Sequence, residues 1–557
     1  MVSRILRFIN KEISGLHEAA YLLAFFTFLS QVLGLFRDRV LAHIFGAGLA
    51  LDTYYSAFRI PDLIFVSVAS IVSVSVLVPF VIERLERSEG EAKRFVDSIF
   101  SFFSVLIILV SAICFAFVPW LLAQLFPELT SSAYGAEFVS MTRIMLLSPI
   151  LLGFSNLFAS IAQARHRFIS YALSPIFYNA GIIIGVVFLY PKMGLKGLSL
   201  GVVIGAVLHL LCQLSTITKP FPSFSFPFDF RTIREVVGLS FSRTLALSGS
   251  QLSTLVLIIM AAILASGSVA VFNFAWNLQS VPLALVGVSY TVALFPTISR
   301  LFSNGERQKF LEEMTVAARH ITFWSVPIII LFIVLRAQIV RTILGSGSFD
   351  WTDTRLTAAA LALFSISILA QSLILLFVRG YYAGGNTKKP LVINIIASLF
   401  VVIFAFGFLR IFREWEFFRY FIESLLRVPE VAGTEVLMLP LGFSTAMLLN
   451  AAVFWYYFAR RFKEFSPQVN KTFFEVFSSS VIMGFVAYKF LDVFDNIFDI
   501  NTLPGIFLQG LLSGLIGIAV GLVVLILLKN RELKEVWITL HHKIWKAKVI
   551  VPEQESL

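Results

Sequence analysis

Charged side chains are scarce in this sequence. Asp, Glu, Lys and Arg make up 14% of the 557 residues, against roughly 25% in soluble globular chains. That shortfall leaves too little polar surface to cover a water-soluble body. Cysteine is nearly absent: Cys114 and Cys212 are the only two, and both fall inside apolar runs. A disulfide framework is therefore not expected, and buried inert thiols are the better reading. The motifs of soluble catalysis are missing as well. The chain has no P-loop, no HExxH, no GxSxG and no Cys/His cluster with metal-ligand spacing, so neither an enzyme nor a metal centre is expected. His166, His541 and His542 lie in basic segments, where solvated histidine is the ordinary reading. The net charge of +11 is spread over short loops rather than gathered into a basic domain, which argues against nucleic acid as a partner.

What the chain has instead is apolar length. Hydrophobic residues make up 58%, with 59 phenylalanines, and runs of about 20 apolar residues, enough to cross about 30 Å of hydrocarbon, recur almost from end to end. The predicted fold is an all-α polytopic membrane protein with about fourteen spans, at 20–45, 53–82, 97–124, 138–162, 168–190, 197–217, 236–265, 268–298, 312–344, 355–383, 388–409, 437–460, 471–491 and 503–528. Basic loops follow every even-numbered span: Arg84, Arg87, Lys93 and Arg94; Arg165 and Arg167; Lys219, Arg231 and Arg234; Arg300, Arg307 and Lys309; and so on to Lys529 and Lys534. The opposite turns are short and charge-poor, as at Gly46-Ala47-Gly48, Ala265-Ser266-Gly267-Ser268 and Gly345-Ser346-Gly347-Ser348. The Lys/Arg asymmetry places the basic loops and both termini in the cytoplasm. No cleavable leader is expected in Met1–His17, which reads as an amphipathic helix lying on the membrane.

The chain also repeats itself at an offset of about 220 residues. Ser30-Gln31 answers Ser250-Gln251, Pro61 answers Pro282, and Leu77-Val78-Pro79 answers Leu294-Phe295-Pro296. Each half holds six spans, an even number, so the two halves share one orientation, a parallel repeat of the kind transporters use for alternating access. The expected organisation is an amphipathic segment at 1–19, an N-terminal lobe of six spans at 20–220, and a C-terminal lobe of six spans at 221–465. An outer insertion at 411–435 interrupts the second lobe. Two extra spans follow at 466–529, then a basic amphipathic cytoplasmic tail at 530–557. In the insertion Arg413, Glu416, Tyr420, Glu423 and Arg427 form one helical stripe and Trp415, Phe418, Ile422 and Leu425 the other. In the tail Leu533, Val536, Trp537, Leu540 and Ile544 form an apolar stripe beside lysines, suited to anionic lipid headgroups.

Several charges stand where hydrocarbon should disfavour them. The first span carries Arg37, Asp38 and Arg39, and the second Asp52 and Arg59. A charge at this depth costs at least about 2.5–3.5 kcal/mol on insertion scales, so such residues usually face a bundle interior or a wet cavity. The plain alternative is pairing or snorkelling near the surface. The functional reading is a cationic cavity between the lobes, in which arginine forks would suit a pyrophosphate. Corresponding spans of the second half carry Asn273, Asn277 and Gln279 instead, with Arg243 early in the seventh span. Arg243 reads either as an inward-pointing cation that compensates for the missing ones or as a helix-end arginine reaching to headgroups.

The run Ser30-Gln31-Val32-Leu33-Gly34-Leu35-Phe36-Arg37-Asp38, continuing through Ile44-Phe45-Gly46-Ala47-Gly48, Asp52 and Ala57-Phe58-Arg59-Ile60-Pro61, resembles the N-terminal motif of the MurJ/MviN family. These are flippases of the MOP superfamily that move lipid II, the undecaprenyl-pyrophosphate-linked peptidoglycan precursor. The resemblance continues at Arg167-Phe168, Pro175, Asn179, Leu264–Val269, Leu294-Phe295-Pro296 and Tyr381–Pro390, and so covers nearly the whole chain. It implies fourteen spans, cytoplasmic termini, a bacterial inner-membrane location and a basic central cavity. Arg37 and Arg59 would engage the pyrophosphate, and Asp38 and Asp52 would orient them. The sequence departs from the family at Gln31 and Asn277, where arginine is usual, and in Asp62–Ser67, which lacks the usual basic residue.

The leading expectation is thus lipid II flipping by alternating access, without a cofactor, with the membrane potential or a monovalent cation as the open choices for coupling. Partners would be the lipid-linked substrate, membrane lipids and proteins of cell-wall synthesis. Two alternatives stay open: a flippase for another undecaprenyl-linked saccharide or a cation-coupled exporter of the same superfamily, and a non-transporting membrane scaffold. Single cysteines near residues 90, 166, 225, 305, 386 and 465 should escape an impermeant thiol reagent added outside intact cells; strong labelling near 305 would overturn the orientation of the second half.

Overall fold

The computed structural model describes residues 16–69, 74–165, 167–216, 222–226 and 228–545. Met1–His17, His166 and Lys219 as sequence expectations therefore fall mainly or wholly outside the described residues, as does the tail beyond 545. Helices dominate, and no strand occurs among the described residues. Each expected span has a helical counterpart whose ends differ by a few residues, from Leu16–Phe45 for the first to Leu503–Leu527 for the fourteenth. Eleven of them are long and apolar enough to cross a membrane, and the seventh adds the shorter apolar stretch Ser248–Ala262. The chain is an all-α, multi-pass membrane protein.

Local signals set the helix ends. Ser88 accepts from the Glu91 amide at the start of the third span, Asp229 caps the seventh, Asp350 caps the tenth and Thr502 the fourteenth, each satisfying an amide that the helix itself leaves free. Pro61 and Pro282, the matching prolines of the two halves, are each followed by a π-helical turn, Phe65–Ala69 and Leu283–Val288. A proline removes one amide from the ladder and locally shifts its register.

Contacts group the chain into two compact units. The first comprises the described part of Met1–Val281 with Ile339–Ser367 and Gly385–Val453. Within it the fifth and sixth spans approach backbone to backbone through glycine. A Cβ placed on Gly181 would lie 2.2 Å from the Gly205 Cα, and one on Gly185 would lie 2.5 Å from the Gly201 Cα. This is the small-residue interface by which membrane helices gain dispersion contact without any hydrophobic drive from water. The third span turns Ile108, Leu109, Phe117 and Trp120 outward, as a lipid-facing helix should. The helix of the insertion, Glu416–Leu426, buries Ile422 and Leu426. Leu425 and Trp415 instead lie exposed with Phe417 and Phe421, so the two-stripe reading needs correcting: apolar residues cover more than one face.

The second unit comprises Pro282–Gln338, Ile368–Gly384 and the described part of Phe454–Leu557. A terminal helix, Arg531–Trp545, follows the last span, and its first turn is fixed to the bundle. Glu532, 1% exposed, accepts from Arg319 of the ninth span at 2.5 Å and from the Thr472 hydroxyl of the thirteenth at 2.7 Å. Next to it Glu535 lies 3.0 Å from the His320 ring. Leu533 and Val536 pack on Phe323, Val326, Val476 and Leu525. Part of the stripe assigned to lipid thus packs on protein, while Trp537 stays exposed. Burial raises the Glu532 carboxyl, but the Thr472 hydroxyl and Arg319 outweigh it and hold the group below the ordinary glutamate value. Its stabilising effect is accordingly complete at neutral pH and fades only as pH falls through that depressed value.

Removing one partner of a buried pair strands the other. Glu532→Ala should lower stability in detergent by about 3–5 kcal/mol, read as a drop in thermal midpoint. Arg319→Met/Glu532→Leu should recover most of the loss, and Lys534→Ala should cause almost none.

Candidate functional site

The site is built within the first unit, and it begins with the charge-poor turns. Three of them meet. The Ser348 amide donates to the His43 carbonyl at 2.9 Å, and the Ala47 amide donates to the Asp353 carboxylate at 3.0 Å. Gly267, at φ +90°, comes so close to Ala47 that a Cβ would stand 2.0 Å from the Ala47 carbonyl oxygen. No side chain fits there, and the conformation itself favours glycine. Asp52 sits at the centre of this seal. Its two oxygens accept from the amides of Gly267 and Ala270 at 2.6 and 2.8 Å. These amides open the eighth span, where the helix dipole also favours a negative group. Arg39 plays the opposite part at a helix C-terminus: its guanidinium donates to the carbonyls of Thr342 and Ile343 at 2.7 and 3.1 Å.

Deeper in the first span lies a polar cavity of about 230 Å³, lined by Ser30, Gln31, Gly34, Leu35, Arg37, Asp38, Asn179, Asn277 and Ser280. At 1.5 Å per residue it spans roughly 10–22 Å from the charge-poor end of the first span, which ends at Phe45. Its organising group is Asp38, only 2% exposed. One carboxylate oxygen accepts from Arg37 Nε at 2.9 Å and Nη2 at 2.7 Å; the other accepts from the Asn277 amide at 2.9 Å. The remaining Arg37 nitrogen donates to Asn179 Oδ1 at 2.9 Å. Asn179 in turn donates to the Pro175 carbonyl at 3.1 Å, the carbonyl of a proline within the fifth span. The cavity has room for a few waters or a small anionic group, but not for a whole lipid-linked saccharide.

Of the candidates named from sequence, Gln31, Arg37, Asp38 and Asn277 come together here. Arg59 does not line the cavity. It donates to Asn273 Oδ1 at 2.7 Å and lies 4.0 Å from Asp62. Since Asn273 is one turn from Asn277, Arg59 reaches the same face of the eighth span nearer the charge-poor end. Asp52 requires correction: its carboxylate is spent on backbone amides of the seal and orients neither arginine. The cationic cavity requires correction among the described residues, because Arg37 and Asp38, the formal charges in the described lining, cancel. Arg243 lies in the helix Phe230–Ala262, but its side chain is outside the described residues. Asn179 stands in the motif resemblance without having been named a site residue. Its signal was a side-chain amide one turn past a proline in an otherwise apolar span.

The sequence model of the family described as Lipid II flippase MurJ matches residues 41–509. The chain is 26% identical to the lipid II flippase MurJ of Burkholderia cenocepacia over 395 residues, covering 68% of this chain and 76% of that relative. It is 26% identical to the probable lipid II flippase MurJ of Thermotoga maritima over 374 residues, 67% of this chain and 75% of the relative. Among solved structures it resembles a lipid II flippase MurJ in an inward closed conformation, with a TM-score of 0.74 and 25% identity over 92% of this chain and 99% of that one. An inward-facing multidrug resistance transporter of the MATE family, of the MOP superfamily, shares the fold: TM-score 0.63, 14% identity, 79% and 96% covered.

The seal generates its own test. Asp52→Asn keeps the shape but loses the charge that strengthens two hydrogen bonds, each worth about 1.5–3 kcal/mol when charged. With Cys114 and Cys212 replaced, a Ser268→Cys reporter, buried at 1% exposure in the parent, should react at least about tenfold faster with an impermeant maleimide once Asp52→Asn is added. An unchanged rate would remove Asp52 from the seal.

Proposed function

The chain belongs to the lipid II flippase MurJ family, and on that premise we propose that it moves the undecaprenyl-pyrophosphate-linked peptidoglycan precursor across the bacterial inner membrane, from the cytoplasmic to the outer face. The observation that carries this reading is the Arg37–Asp38–Asn277 cluster, set in a polar cavity beneath a closed set of turns. The basic loops lie on the cytoplasmic side and the charge-poor turns outside, as the Lys/Arg asymmetry favours.

The geometry suggests how a diphosphate would be received. Arg37 commits two nitrogens to Asp38 and one to Asn179. An incoming pyrophosphate offers the same guanidinium a better-matched pair of acceptors. Asp38 would give up Arg37 while staying tied to Asn277, so the carboxylate is not stranded when the arginine leaves it. Gln31 and Ser30 add neutral hydrogen-bonding groups around the anion. The saccharide and lipid lie beyond this small cavity, with the lipid tail in or near the bilayer. Alternating access then carries the headgroup past the seal once Asp52 and Asp353 release their amides. No chemical bond changes, so the protein acts as a transporter rather than an enzyme, and it uses no cofactor. The membrane potential or a monovalent cation supplies the coupling, and proteins of cell-wall synthesis are its natural partners.

One observation favours a second reading. The formal charges lining the cavity cancel, which suits a substrate whose headgroup presents less negative charge, such as another undecaprenyl-linked saccharide. Complementation in cells depleted of their own lipid II flippase separates the two. The parent chain should restore growth; failure despite normal membrane insertion would favour the second reading. In the same assay Arg37→Ala should abolish rescue, and Arg37→Lys should restore it only in part, because a point charge cannot replace the paired fork. Asn277→Arg, which adds a cation beside Asp38, should preserve or improve rescue. Normal growth with Arg37→Ala would remove this cavity as the binding site.

A further inference from the structure

The connection between the sixth and seventh spans, read from sequence only as a basic cytoplasmic loop, has an unusual construction. Its described residues run extended along the third span rather than away from it. The Ser223 amide donates to Asp97 Oδ1 at 2.7 Å and its hydroxyl to Oδ2 at 2.9 Å. Two residues on, the Ser225 amide donates to the Ser101 hydroxyl at 2.8 Å. Asp97 and Ser101 are one helical turn apart and buried, so the third span presents a ladder of acceptors to a segment with a two-residue repeat. The intervening residues point the other way and are aromatic. Phe224, Phe226 and Phe230 are 58%, 71% and 70% exposed. With Phe228 they form a continuous chain of ring contacts, stacked, tilted and edge-to-face in turn, with centroids 6.1, 4.5 and 6.2 Å apart.

We infer that this segment is a strap embedded in the membrane interface, whose phenylalanines enter the acyl-chain region while flanking basic residues engage anionic phospholipid headgroups. Four observations lead there. A ladder of exposed rings is unfavourable in water and fits an apolar phase. The ladder is continuous with a surface that already faces lipid. Phe228 meets Phe102 of the third span at 6.3 Å, and the same helical face runs on through Val105 and Leu109, 42% and 55% exposed. Irregular backbone at this depth needs partners for its amides, and the third span supplies them at Asp97 and Ser101. Finally, the rim is basic: Arg94, Arg231 and Arg234 are exposed, and Lys93 lies 3.2 Å from both Asp97 and Ser223. Of the nearby carboxylates, Asp229 accepts from the amides that open the seventh span and Glu235 pairs with Arg84 at 3.1 Å. Apolar rings below and exposed cations above are the arrangement that an anionic bilayer surface recognises. The inference uses only the membrane location of the chain, not the substrate.

The test uses the full-length protein with Cys114 and Cys212 replaced, a spin label on Phe226→Cys, and reconstitution into phosphatidylcholine vesicles with or without phosphatidylglycerol. A label on Lys309→Cys, exposed in the first turn of the ninth span, serves as the aqueous reference. The strap predicts that the label at 226 collides with oxygen severalfold more, relative to a water-soluble nickel complex, than the label at 309 does. It also predicts that phosphatidylglycerol deepens the label and that Arg231→Gln/Arg234→Gln removes this lipid dependence. Nickel accessibility at 226 equal to that at 309 would overturn the inference. So would shielding from both reagents, which would mean that protein rather than lipid covers the ladder. A depth that ignores phosphatidylglycerol would overturn the headgroup part of the inference.

Discussion

A helix that starts inside a membrane protein begins with amides that have no partner in the helix, and in a bilayer there is little water to satisfy them. Asp52 supplies that partner for the eighth span, accepting from Gly267 and Ala270. Much of the first unit is arranged around this contact. For Asp52 to reach those amides, the turn at Gly267 must come against the turn at Ala47, which only glycine permits. Asp353 repeats the device toward Ala47, and Arg39 answers it with two carbonyls at a helix C-terminus. Once these ends are joined, the first and eighth spans stand side by side at the depth where Asp38 can reach both Arg37 and Asn277. The polar cavity is thus a consequence of how the turns above it are satisfied.

This dependence explains what was legible in the sequence. The spans were, because bilayer thickness sets a length that any apolar run must meet, and helical counterparts appear for them all. The three charge-poor turns were legible one at a time, but their convergence was not, since nothing in the local composition of Gly46-Ala47-Gly48 says that it will meet Gly267. Charges within apolar runs were correctly singled out, yet their destinations differ. Arg37 and Asp38 do line a cavity, whereas Asp52 and Arg39 serve helix ends and Arg59 serves Asn273. A carboxylate that caps a distant helix and one that faces a ligand look alike in one dimension. The hint for Asp52 was the partner segment: Ser266-Gly267-Ser268 is a turn that opens a helix, and such a turn needs an acceptor.

The tail and the lobe connection were read incompletely for a shared reason. Amphipathic stripes and basic loops were assigned to lipid or water by composition, while the deciding residues were polar groups on other spans. Arg319 and Thr472 hold Glu532 from two different helices, and Asp97 and Ser101 hold the connection along the third span. None of these residues stands out in its own segment: Arg319 adjoins His320, Thr472 follows Lys471, and Asp97 precedes Ser98. Each becomes informative only once the element that carries its partner is placed.

The glycine interface between the fifth and sixth spans has a mechanical meaning. Helices whose Cα atoms approach this closely cannot slide or rotate against each other without collision, so the pair behaves as a single stiff strut. Asn179 sits on that strut, two residues from Gly181, and its side-chain oxygen Oδ1 is the fixed end of the Arg37 contact. The arginine is therefore measured against a pair of helices held to each other by close backbone contact. Whatever displacement loading the cavity requires must come from the first and eighth spans, and the fifth and sixth supply the frame in which that displacement has a direction.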